Sequence, residues 1–296
     1  MRLTLRQLEI FSAIAQSGST TAAAHQIPLS QSATSAALHE LEQALAAPLF
    51  DRVGKRLLLN DTGRALLPTA LAVLDGARQI ETTFGSAERS PSDLRLFAST
   101  TIGNYVLPAL LADFRRPIPT LRLDLRIGNT LEVIAGVRNF QTDLGLIEGP
   151  SHDPDITVLS WMEDELVIAA ACNHPLAKAS AQAALTVEQL AGAEWLQREF
   201  GSGTRDAVEQ ALLPHILNLR STLTLGSSEA IKNAAAEGLG ICCLSRCVVE
   251  DLVKAKRLAI LPTRLPPLTR RFSLIHHQHK VLSTQVRRLI ALCRAG

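Results

Sequence analysis

The first 48 residues carry a pattern that few folds can accommodate, namely three short amphipathic helices separated by two abrupt breaks. Thr4 and Gln7 fit a capping box at the start of the first helix, and apolar residues then recur at helical spacing. Gly18-Ser19 interrupts this helix, and a turn at residues 27–29 ends the second one. Ser30 can cap the third helix. The tight turn between the second and third helices predicts a helix-turn-helix.

The next segment, residues 50–59, predicts a small β-hairpin with Gly54 at its tip, which would form the wing of a winged helix-turn-helix. A long helix is then expected from Thr62 to about Glu88. One stripe of this helix is apolar, at alternating steps of four and three, and consists of Leu66, Ala70, Val73, Ala77, Ile80 and Phe84. The stripe favours dimerisation, and the alternative is a helix face that packs on the core of its own chain.

The pattern changes after Ser90-Pro91-Ser92, which is typical of a linker. Short candidate strands then alternate with candidate helices, which predicts α/β units with mainly parallel pairing. The candidate strands are residues 94–98, 121–127, 144–147, 166–171, 223–225, 240–244 and 272–275. The expected domains are a winged helix-turn-helix at 1–61, a linker helix at 62–90 and a larger domain at 91–296, the last with subdomain I at about 91–162 plus 267–296 and subdomain II at about 163–266.

Residues 5–68 resemble the DNA-binding domain of LysR-type transcriptional regulators. The segments that carry this resemblance are LRQL, LSQS, HELEQALAAPLFDR and DTGRALLP. Residues 91–296 are similar in length and pattern to the effector domain of that family, so the resemblance covers the whole chain. It implies an α/β fold with an N-terminal all-α winged helix-turn-helix, and an effector part of two α/β subdomains resembling a type 2 periplasmic binding protein.

Further segments, among them STTIGNYVLPAL, GLIEGP, GSGTR and GLGICCLSR, are similar to a branch of the family associated with sulfur metabolism and sulfite sensing. The branch implies a small anionic effector, sulfite or a related sulfur oxyanion, and the alternative is an organic acid or an amino-acid-derived metabolite. The family implies double-stranded promoter DNA as a partner and self-association into homodimers and homotetramers. Thr20, Ser32 and His39 depart from the common family pattern, which bears on the operator sequence that is read.

Several other classes of protein are disfavoured by the sequence. Charges interrupt the apolar runs near the N-terminus, and no apolar run approaches the roughly 20 residues that span a bilayer, so we expect a cytoplasmic protein without a membrane partner. Five cysteines without an export signal predict reduced thiols. No G-x-S-x-G, phosphate-binding loop, H-E-x-x-H, Rossmann glycine motif or zinc-ligand spacing is present. We therefore expect no catalytic site, metal or cofactor, with an α/β enzyme as a remote alternative.

A recognition helix presents short polar side chains at its N-terminal turn, because that end enters the major groove. The candidates here are Ser30, Gln31, Ser32, Thr34 and Ser35. The candidate wing cations are Arg52, Lys55 and Arg56. Gln31 can bind adenine with two hydrogen bonds, and the cations can contact the DNA backbone or minor groove. The alternative for the serine-rich turn is a purely structural helix cap.

Net charge does not predict strong nonspecific attraction to DNA. The chain carries a net charge of +2, and residues 1–90 hold eight Lys/Arg and eight Asp/Glu residues. We therefore expect affinity to depend on a dimer that holds two recognition helices at two half-sites.

Two hydroxyl-rich turns of the larger domain suit a small anion. Ser99-Thr100-Thr101 ends a predicted strand, and Gly201-Ser202-Gly203-Thr204 precedes a predicted helix, so both offer hydroxyls and free backbone N–H groups. In two-subdomain α/β folds, ligands bind where strand ends and helix N-termini converge. Asn129, after its predicted strand, and Ser227-Ser228, before the predicted helix at Glu229, are secondary candidates. Glu148 would disfavour a doubly charged anion unless it is protonated or hydrogen bonded.

Overall fold

The structure, a computed structural model, describes residues 3–54, 56–84, 94–221 and 223–295. Lys55 and the predicted linker Ser90-Pro91-Ser92 lie outside the described residues, and so does the side chain of Phe84. The chain divides into two compact units. The first comprises Met1–Pro91, Arg138–Phe140 and His279–Ser283, and the second comprises Ser92–Val137, Gln141–Gln278 and Thr284–Gly296.

The first unit is a winged helix-turn-helix, as the sequence predicts. Its elements in chain order are α1 (Leu5–Ser17), α2 (Thr20–Gln26), α3 (Gln31–Leu45), β1 (Phe50–Val53), β2 (Arg56–Leu59) and α4 (Asp61–Phe84). The capping box of α1 is formed, with Gln7 N donating to Thr4 Oγ1 at 3.2 Å and Thr4 N donating to Gln7 Oε1 at 3.0 Å. Gly18 ends α1 in the left-handed conformation, at φ 70°, and its carbonyl accepts from Leu57 N at 2.8 Å. The hairpin is therefore fixed to the end of α1.

The core of the first unit is built by all three short helices and the start of α4. Phe11, Ile14, Leu41 and Leu49 are fully buried in it. Gly63 lets α4 begin directly against this core, because a Cβ atom there would lie 2.1 Å from Leu49 O. A larger residue would push α4 away from the hairpin.

A second face of α4 is covered by residues 279–283. Lys280 Nζ lies 2.8 Å from Asp75 Oδ2, and both side chains are buried. Gln79 Nε2 also donates to Val281 O at 2.6 Å. These contacts explain why a carboxylate and an ammonium group can be buried on α4, since each neutralises the other.

The second unit alternates strands and helices. Its strands are β3 (Leu94–Ser99), β4 (Leu123–Gly128), β5 (Leu144–Glu148), β6 (Ile156–Ala171), β7 (Trp195–Arg198), β8 (Leu223–Leu225), β9 (Ile241–Ser245), β10 (Leu258–Ile260) and β11 (Leu268–His277). Its helices are α5 (Leu107–Arg115), α6 (Thr130–Arg138), α7 (Pro175–Ser180), α8 (Val187–Ala191), α9 (Gly203–Leu212), α10 (Ser228–Ala236), α11 (Arg246–Lys254) and α12 (Thr284–Ala295). A π-helical turn over Ile102–Val106 leads into α5.

Within the described residues, the strands of the second unit form one sheet in the order β4-β3-β5-β11-β6-β9-β7-β8, with β10 also paired to β6. The long strands β6 and β11 run through both halves of this sheet. We call the half with β3, β4 and β5 subdomain I, and the half with β7, β8, β9 and β10 subdomain II. Two α/β halves joined by shared strands agree with the predicted fold class.

The prediction of mainly parallel pairing was wrong for the middle of the sheet. The pairs β3–β4, β3–β5, β7–β8 and β7–β9 are parallel, but the pairs β5–β11, β6–β11, β6–β9 and β6–β10 are antiparallel. The reason is that β6 and β11 pass between the subdomains in opposite directions. Only the outer strands are joined by the helical crossovers that make parallel pairs.

The described helices include none that is long and apolar enough to cross a membrane. The described part of the chain also holds no group of His, Cys, Asp and Glu residues placed to bind a metal ion. All five cysteines are free thiols, and Cys242 and Cys243 are buried in β9. Burial raises the pKa of the Cys242 thiol to about 12, so this thiol stays protonated and unreactive.

Candidate nucleic-acid interface and effector site

The N-terminal end of α3 is exposed and polar. Ser30 caps the helix by accepting from Ala33 N at 3.2 Å, and its hydroxyl lies 3.0 Å from that of Ser32. Gln31 Nε2 donates to Thr20 Oγ1 at 3.2 Å, which joins the first turn of α3 to the first residue of α2. Gln31 is therefore held in a defined orientation while remaining exposed. Thr20 thus has a structural role that fits its departure from the family pattern.

Thr34 does not belong to this surface, which corrects the sequence prediction. The residue is fully buried, and its hydroxyl donates to Ser30 O at 3.0 Å. It points back along its own helix because α3 packs that face on the core. Ser35 is half-buried. The exposed part of the predicted surface consists of Ser30, Gln31 and Ser32.

The hairpin of β1 and β2 forms the predicted wing, with Gly54 in the left-handed conformation at φ 61°. Arg52 pairs across the hairpin with Leu57, and Arg56 pairs with Val53. Cross-strand partners share a face, so the two arginines lie on opposite faces of the hairpin. Both are exposed, and the wing presents positive charge on either side.

The predicted dimerisation stripe of α4 splits into two parts. Ala70 is 1% exposed in the core of the first unit, and Leu66 packs against the same core. For Ala70 the alternative interpretation, a helix face on its own core, holds, and Leu66 is half-buried beside the same core. Val73 is 44% exposed and Ile80 is 64% exposed, and Ala77 between them is half-buried. Among the described side chains of the stripe, Val73 and Ile80 have the most exposed apolar surface.

In the second unit, Thr101, Glu148 and Thr204 lie together, as expected, but they surround a buried arginine that the sequence did not indicate. Arg270 of β11 donates to Glu148 Oε2 at 2.6 Å and to Asp164 Oδ2 at 2.7 Å. Its remaining N–H groups donate to Thr204 Oγ1 at 2.9 Å and Thr101 Oγ1 at 3.3 Å. We call Arg270, Glu148, Asp164, Thr101 and Thr204 the central cluster.

Glu148 is ionised in the central cluster. Burial raises its pKa, but the positive charge of Arg270 and hydrogen bonds from Thr204 and Thr101 N outweigh burial and hold the pKa below its ordinary value. The sequence left open whether Glu148 is protonated or hydrogen bonded, and the second condition is met. Since Arg270 and the donors already satisfy this carboxylate, Glu148 is a structural anion and leaves no open position for a ligand.

The turn before α9 is also occupied by the protein itself. Gly201, Ser202, Gly203 and Thr204 are all buried. A Cβ atom on Gly203 would lie 2.1 Å from Glu148 O, so the start of α9 packs directly on subdomain I. Ser202 accepts from Arg205 N at 3.5 Å as the helix cap. The free hydroxyls and N–H groups expected at this turn are therefore largely used within the fold, which corrects that part of the prediction.

A second group of polar residues surrounds Arg198, at the end of β7. Its guanidinium donates to Ser228 Oγ at 2.8 Å and to Thr100 Oγ1 at 3.3 Å, and it forms two hydrogen bonds with Glu199 at 2.7 and 2.8 Å. Thr100 belongs to subdomain I, whereas Arg198 and Ser228 belong to subdomain II. We call Arg198, Glu199, Thr100 and Ser228 the Arg198 cluster.

The other predicted residues lie around these two clusters. Asn129 caps α6, with its side-chain oxygen accepting from Glu132 N at 3.0 Å. Ser99 is buried close enough to Glu148 to help lower its pKa, although its hydroxyl makes no hydrogen bond of good geometry. Thr130 Oγ1 is likewise buried without a partner among the described residues. Two buried hydroxyls with open hydrogen-bonding capacity therefore border this region.

Arg198 and Arg270 were missed for different reasons. Arg198 immediately precedes the loop that holds the GSG sequence, but residues 195–198 were not predicted as a strand, so no strand end was expected there. Arg270 lies in a strand whose predicted start was Phe272. A cation directly before a glycine-rich turn is the signal that could have found Arg198.

The fold and the polar surfaces define a helix-turn-helix protein with a ligand-binding α/β domain. Residues 5–64 match the family described as bacterial regulatory helix-turn-helix protein, lysR family, and residues 87–296 match the LysR substrate binding domain. The chain belongs to the LysR family of transcriptional regulators. Members of this family bind promoter DNA, form oligomers and are regulators rather than enzymes.

Individual relatives agree with this assignment. The chain is 48% identical over 293 residues to YeiE, an uncharacterized HTH-type transcriptional regulator of Escherichia coli (strain K12). The matched region covers 99% of this chain and 98% of YeiE. The chain is 33% identical over 270 residues to the regulator CysL of Bacillus subtilis, covering 91% and 89% of the two chains. The regulatory domain of Synechocystis CcmR, solved in complex with 2-PG, is 31% identical, with a TM-score of 0.61 over 69% of this chain and 96% of that domain. The family resemblance inferred from the sequence is confirmed.

Proposed function

We propose that this chain is a ligand-responsive regulator whose effector is a small oxyanion, sulfite or a related sulfur oxyanion, bound at the Arg198 cluster. The observation that carries the proposal is a buried guanidinium placed between hydroxyls of both subdomains. Arginine presents N–H groups in a fixed fork that matches the oxygens of an oxyanion. An anion at this point would contact both halves of the domain.

The surroundings of Arg198 favour negative charge. Ser228 is the first residue of α10, so the partial positive charge of this helix N-terminus faces the same place as the guanidinium. Thr100 lies directly after β3, at the strand end where ligands of α/β folds bind. Two further hydroxyls of subdomain I, those of Ser99 and Thr130, are buried without a hydrogen-bond partner among the described residues.

The choice of a sulfur oxyanion rests on similarity. The relatedness to YeiE and CysL supports sulfite, because the branch resemblance implies sulfite sensing. The alternative is an organic acid or an amino-acid-derived metabolite. The complex of CcmR with 2-PG supports this alternative. Both kinds of ligand carry the negative charge that Arg198 requires.

Calorimetry on the full chain tests the effector. We expect heat on addition of sulfite, with sulfate, thiosulfate and O-acetylserine as comparisons. Arg198→Gln should weaken binding by about tenfold or more, because charge-assisted hydrogen bonds are lost. Arg220→Gln is the matched control, since it removes an exposed arginine of the same subdomain. Absence of heat with all four compounds would refute the oxyanion proposal.

On DNA, we propose that a dimer places two copies of the Ser30–Ser32 turn in the major groove, and that effector binding changes the geometry of a dimer or tetramer on the promoter. The linker helix would carry that change. Activation and repression are both compatible with this arrangement.

Binding to duplexes from the chain's own promoter region tests the DNA surface. Arg52→Ala should reduce the slope of log affinity against log salt by about 0.9 for each wing contact that is lost. Gln31→Ala should cost about 1–3 kcal/mol of discrimination at one base pair. Arg220→Ala, in the second unit, should change neither quantity. Unchanged isotherms for both test variants would remove the assignment.

A further inference from the structure

The carboxylate in the Arg198 cluster comes from the next residue in the chain. Glu199 accepts from Arg198 Nε at 2.7 Å and from Nη2 at 2.8 Å, which is the two-point contact that an oxyanion ligand would make. The arginine side chain is 2% exposed, whereas the glutamate side chain is 27% exposed. The cation is thus buried in the protein, and its anionic partner reaches it from the solvent side.

The backbone shows that Glu199 is held by a loop rather than by the sheet. β7 ends at Arg198, and Glu199 lies in the turn that leads through Gly201, at φ 84°, to α9. Consecutive side chains of a strand point to opposite faces, so Glu199 can meet Arg198 only because the chain leaves the strand here. A small rotation of this turn would separate the carboxylate from the guanidinium without disturbing the sheet.

The central cluster provides a contrast. Glu148 is buried, lies in β5 and receives hydrogen bonds from Thr101 N and Thr204 in addition to Arg270. Glu199 lies in a turn, and its side chain is 27% exposed. Burial raises its pKa, and Arg198, with smaller contributions from the backbone N–H of Glu199 and from the Asn129 side chain, lowers the pKa below its ordinary value. Of the two carboxylates, Glu199 is the exchangeable one.

A buried guanidinium without a counter-charge is unfavourable, so Arg198 needs an anion in every state of the protein. We propose that Glu199 is a built-in substitute for the effector, and that a bound oxyanion displaces its carboxylate from Arg198. This inference rests on the proposed function, because it assumes that the Arg198 cluster is the anion site. The exchange conserves charge at Arg198, while Ser228 and Thr100 keep the guanidinium in place.

The exchange has a consequence for affinity and specificity. Every ligand must compete with an intramolecular carboxylate, so only an anion that makes better hydrogen bonds to the Arg198 guanidinium than Glu199 does will bind. The displaced side chain belongs to the loop that joins β7 to α9, and α9 packs on subdomain I through Gly203. Displacement of the Glu199 carboxylate would therefore alter a loop that leads directly to the contact between α9 and subdomain I.

The test uses Glu199→Gln in the full chain, with calorimetry against sulfite, sulfate and phosphate at fixed ionic strength. Removing the competing charge should tighten binding of the anion that the wild-type chain binds by about tenfold. Glu250→Gln removes one exposed carboxylate from α11 of the same subdomain and is the charge-matched control, with no expected change. Glu199→Asp keeps the charge but has a shorter side chain, so it should increase anion affinity by less than Glu199→Gln does. This variant replaces Glu199→Gln in the test if the glutamine variant does not fold.

Thermal unfolding gives a second readout. Without anions, Glu199→Gln should unfold at a lower temperature than the wild type, and added sulfite should raise its Tm more than it raises that of the wild type. If wild-type binding depends on Arg198 but Glu199→Gln and Glu199→Asp bind no tighter than Glu250→Gln, the substitution mechanism is wrong and the proposed function stands. If neither the wild type nor the Glu199 variants bind any of the three anions, both proposals fail.

Discussion

Two buried arginines perform different tasks because their partners differ. Arg270 pairs with two carboxylates, those of Glu148 and Asp164. Hydrogen bonds stabilise the excess negative charge, and one of them is donated by Ser245 Oγ to Asp164 at 2.5 Å. Arg198 has one carboxylate partner, on a loop. The first arrangement joins β5, β6 and β11. For the second, the proposed function gives Arg198 the role of anion recognition, so one type of side chain would stabilise the fold at one site and bind a ligand at the other.

Replacing Glu148 with glutamine should destabilise the second unit in a pH-dependent way. Because the pKa of Glu148 is lowered in the folded state, its contribution to stability is present above the ordinary value of 4.5 and is lost as the pH falls through the lower folded value. At pH 7 we expect Glu148→Gln to reduce the free energy of unfolding by about 3 kcal/mol. The difference from the wild type should shrink as the pH falls below 4.5.

Urea unfolding followed by tryptophan fluorescence measures this effect, since both tryptophans, Trp161 and Trp195, belong to the second unit. Glu165→Gln, on β6 of the same sheet, is the control, because its pair with Arg246 is about half exposed and should contribute about 1 kcal/mol or less. A pH-independent difference between Glu148→Gln and the wild type would contradict ionisation of Glu148.

At the scale of elements, the sequence predicts those whose pattern is local. The capping box of α1, the Ser30 cap of α3 and the glycine of the wing each depend on neighbouring residues, and the structure has all three. β6 shows the limit. Its buried end, residues 166–171, was predicted, but the strand begins at Ile156 and includes Glu163, Asp164 and Glu165. Asp164 is buried because Arg270, which is distant in the sequence, neutralises its charge. The residues next to Asp164 in the sequence do not indicate this pairing.

The same limit applies to the effector region. Thr100, Thr101, Glu148 and Thr204 were identified because hydroxyls and carboxylates at strand ends are visible in the sequence. Arg198 was not, because β7 is only four residues long and lies between turns, and Arg270 was not, because β11 begins four residues before its predicted start at Phe272. The pairing of Arg198 with Thr100 and of Arg270 with Glu148 is set by the sheet order, which brings distant segments together.

The remaining apolar surface of α4 supports a prediction about self-association. Val73 and Ile80 are seven residues apart, so they lie on one face of the helix, and both are exposed. Ile80→Glu should raise the dissociation constant of the dimer by about tenfold or more, because a buried isoleucine is lost from each copy. Sedimentation equilibrium measures this constant.

Arg78→Glu is the control on α4, since residue 78 is exposed but points away from the face of Val73. It should leave the dimer intact. Equal dissociation constants for Ile80→Glu and the wild type would show that copies associate through another surface.

At the scale of the ligand-binding unit, effector response requires contacts that differ between two states of the subdomains. Among the described residues, the contacts that join the subdomains include Arg198 with Thr100, the central cluster, and a pair formed by Lys232 of α10 and Tyr105 of the π-helical turn. Lys232 Nζ lies 3.3 Å from the Tyr105 hydroxyl and 5.6 Å from the ring centre, and Glu229 and Asp251 each pair with it at 2.9 Å. Burial lowers the pKa of Lys232, but these carboxylates raise it further, so the residue stays charged.

Tyr105 is the only tyrosine of the chain, so 3-fluorotyrosine provides a single fluorine signal at this contact. Thr100 precedes the same π-helical turn, and an anion at Arg198 would change the hydrogen bond of Thr100 and thereby the position of Tyr105. We expect sulfite to shift the fluorine resonance of the wild type. Lys232→Met should shift this resonance in the absence of ligand and should weaken sulfite binding by about fivefold. Lys254→Met, which removes an exposed cation from the end of α11, should do neither. A fluorine resonance that stays fixed at sulfite concentrations where calorimetry shows saturation would mean that the effector acts without moving the subdomains at this contact.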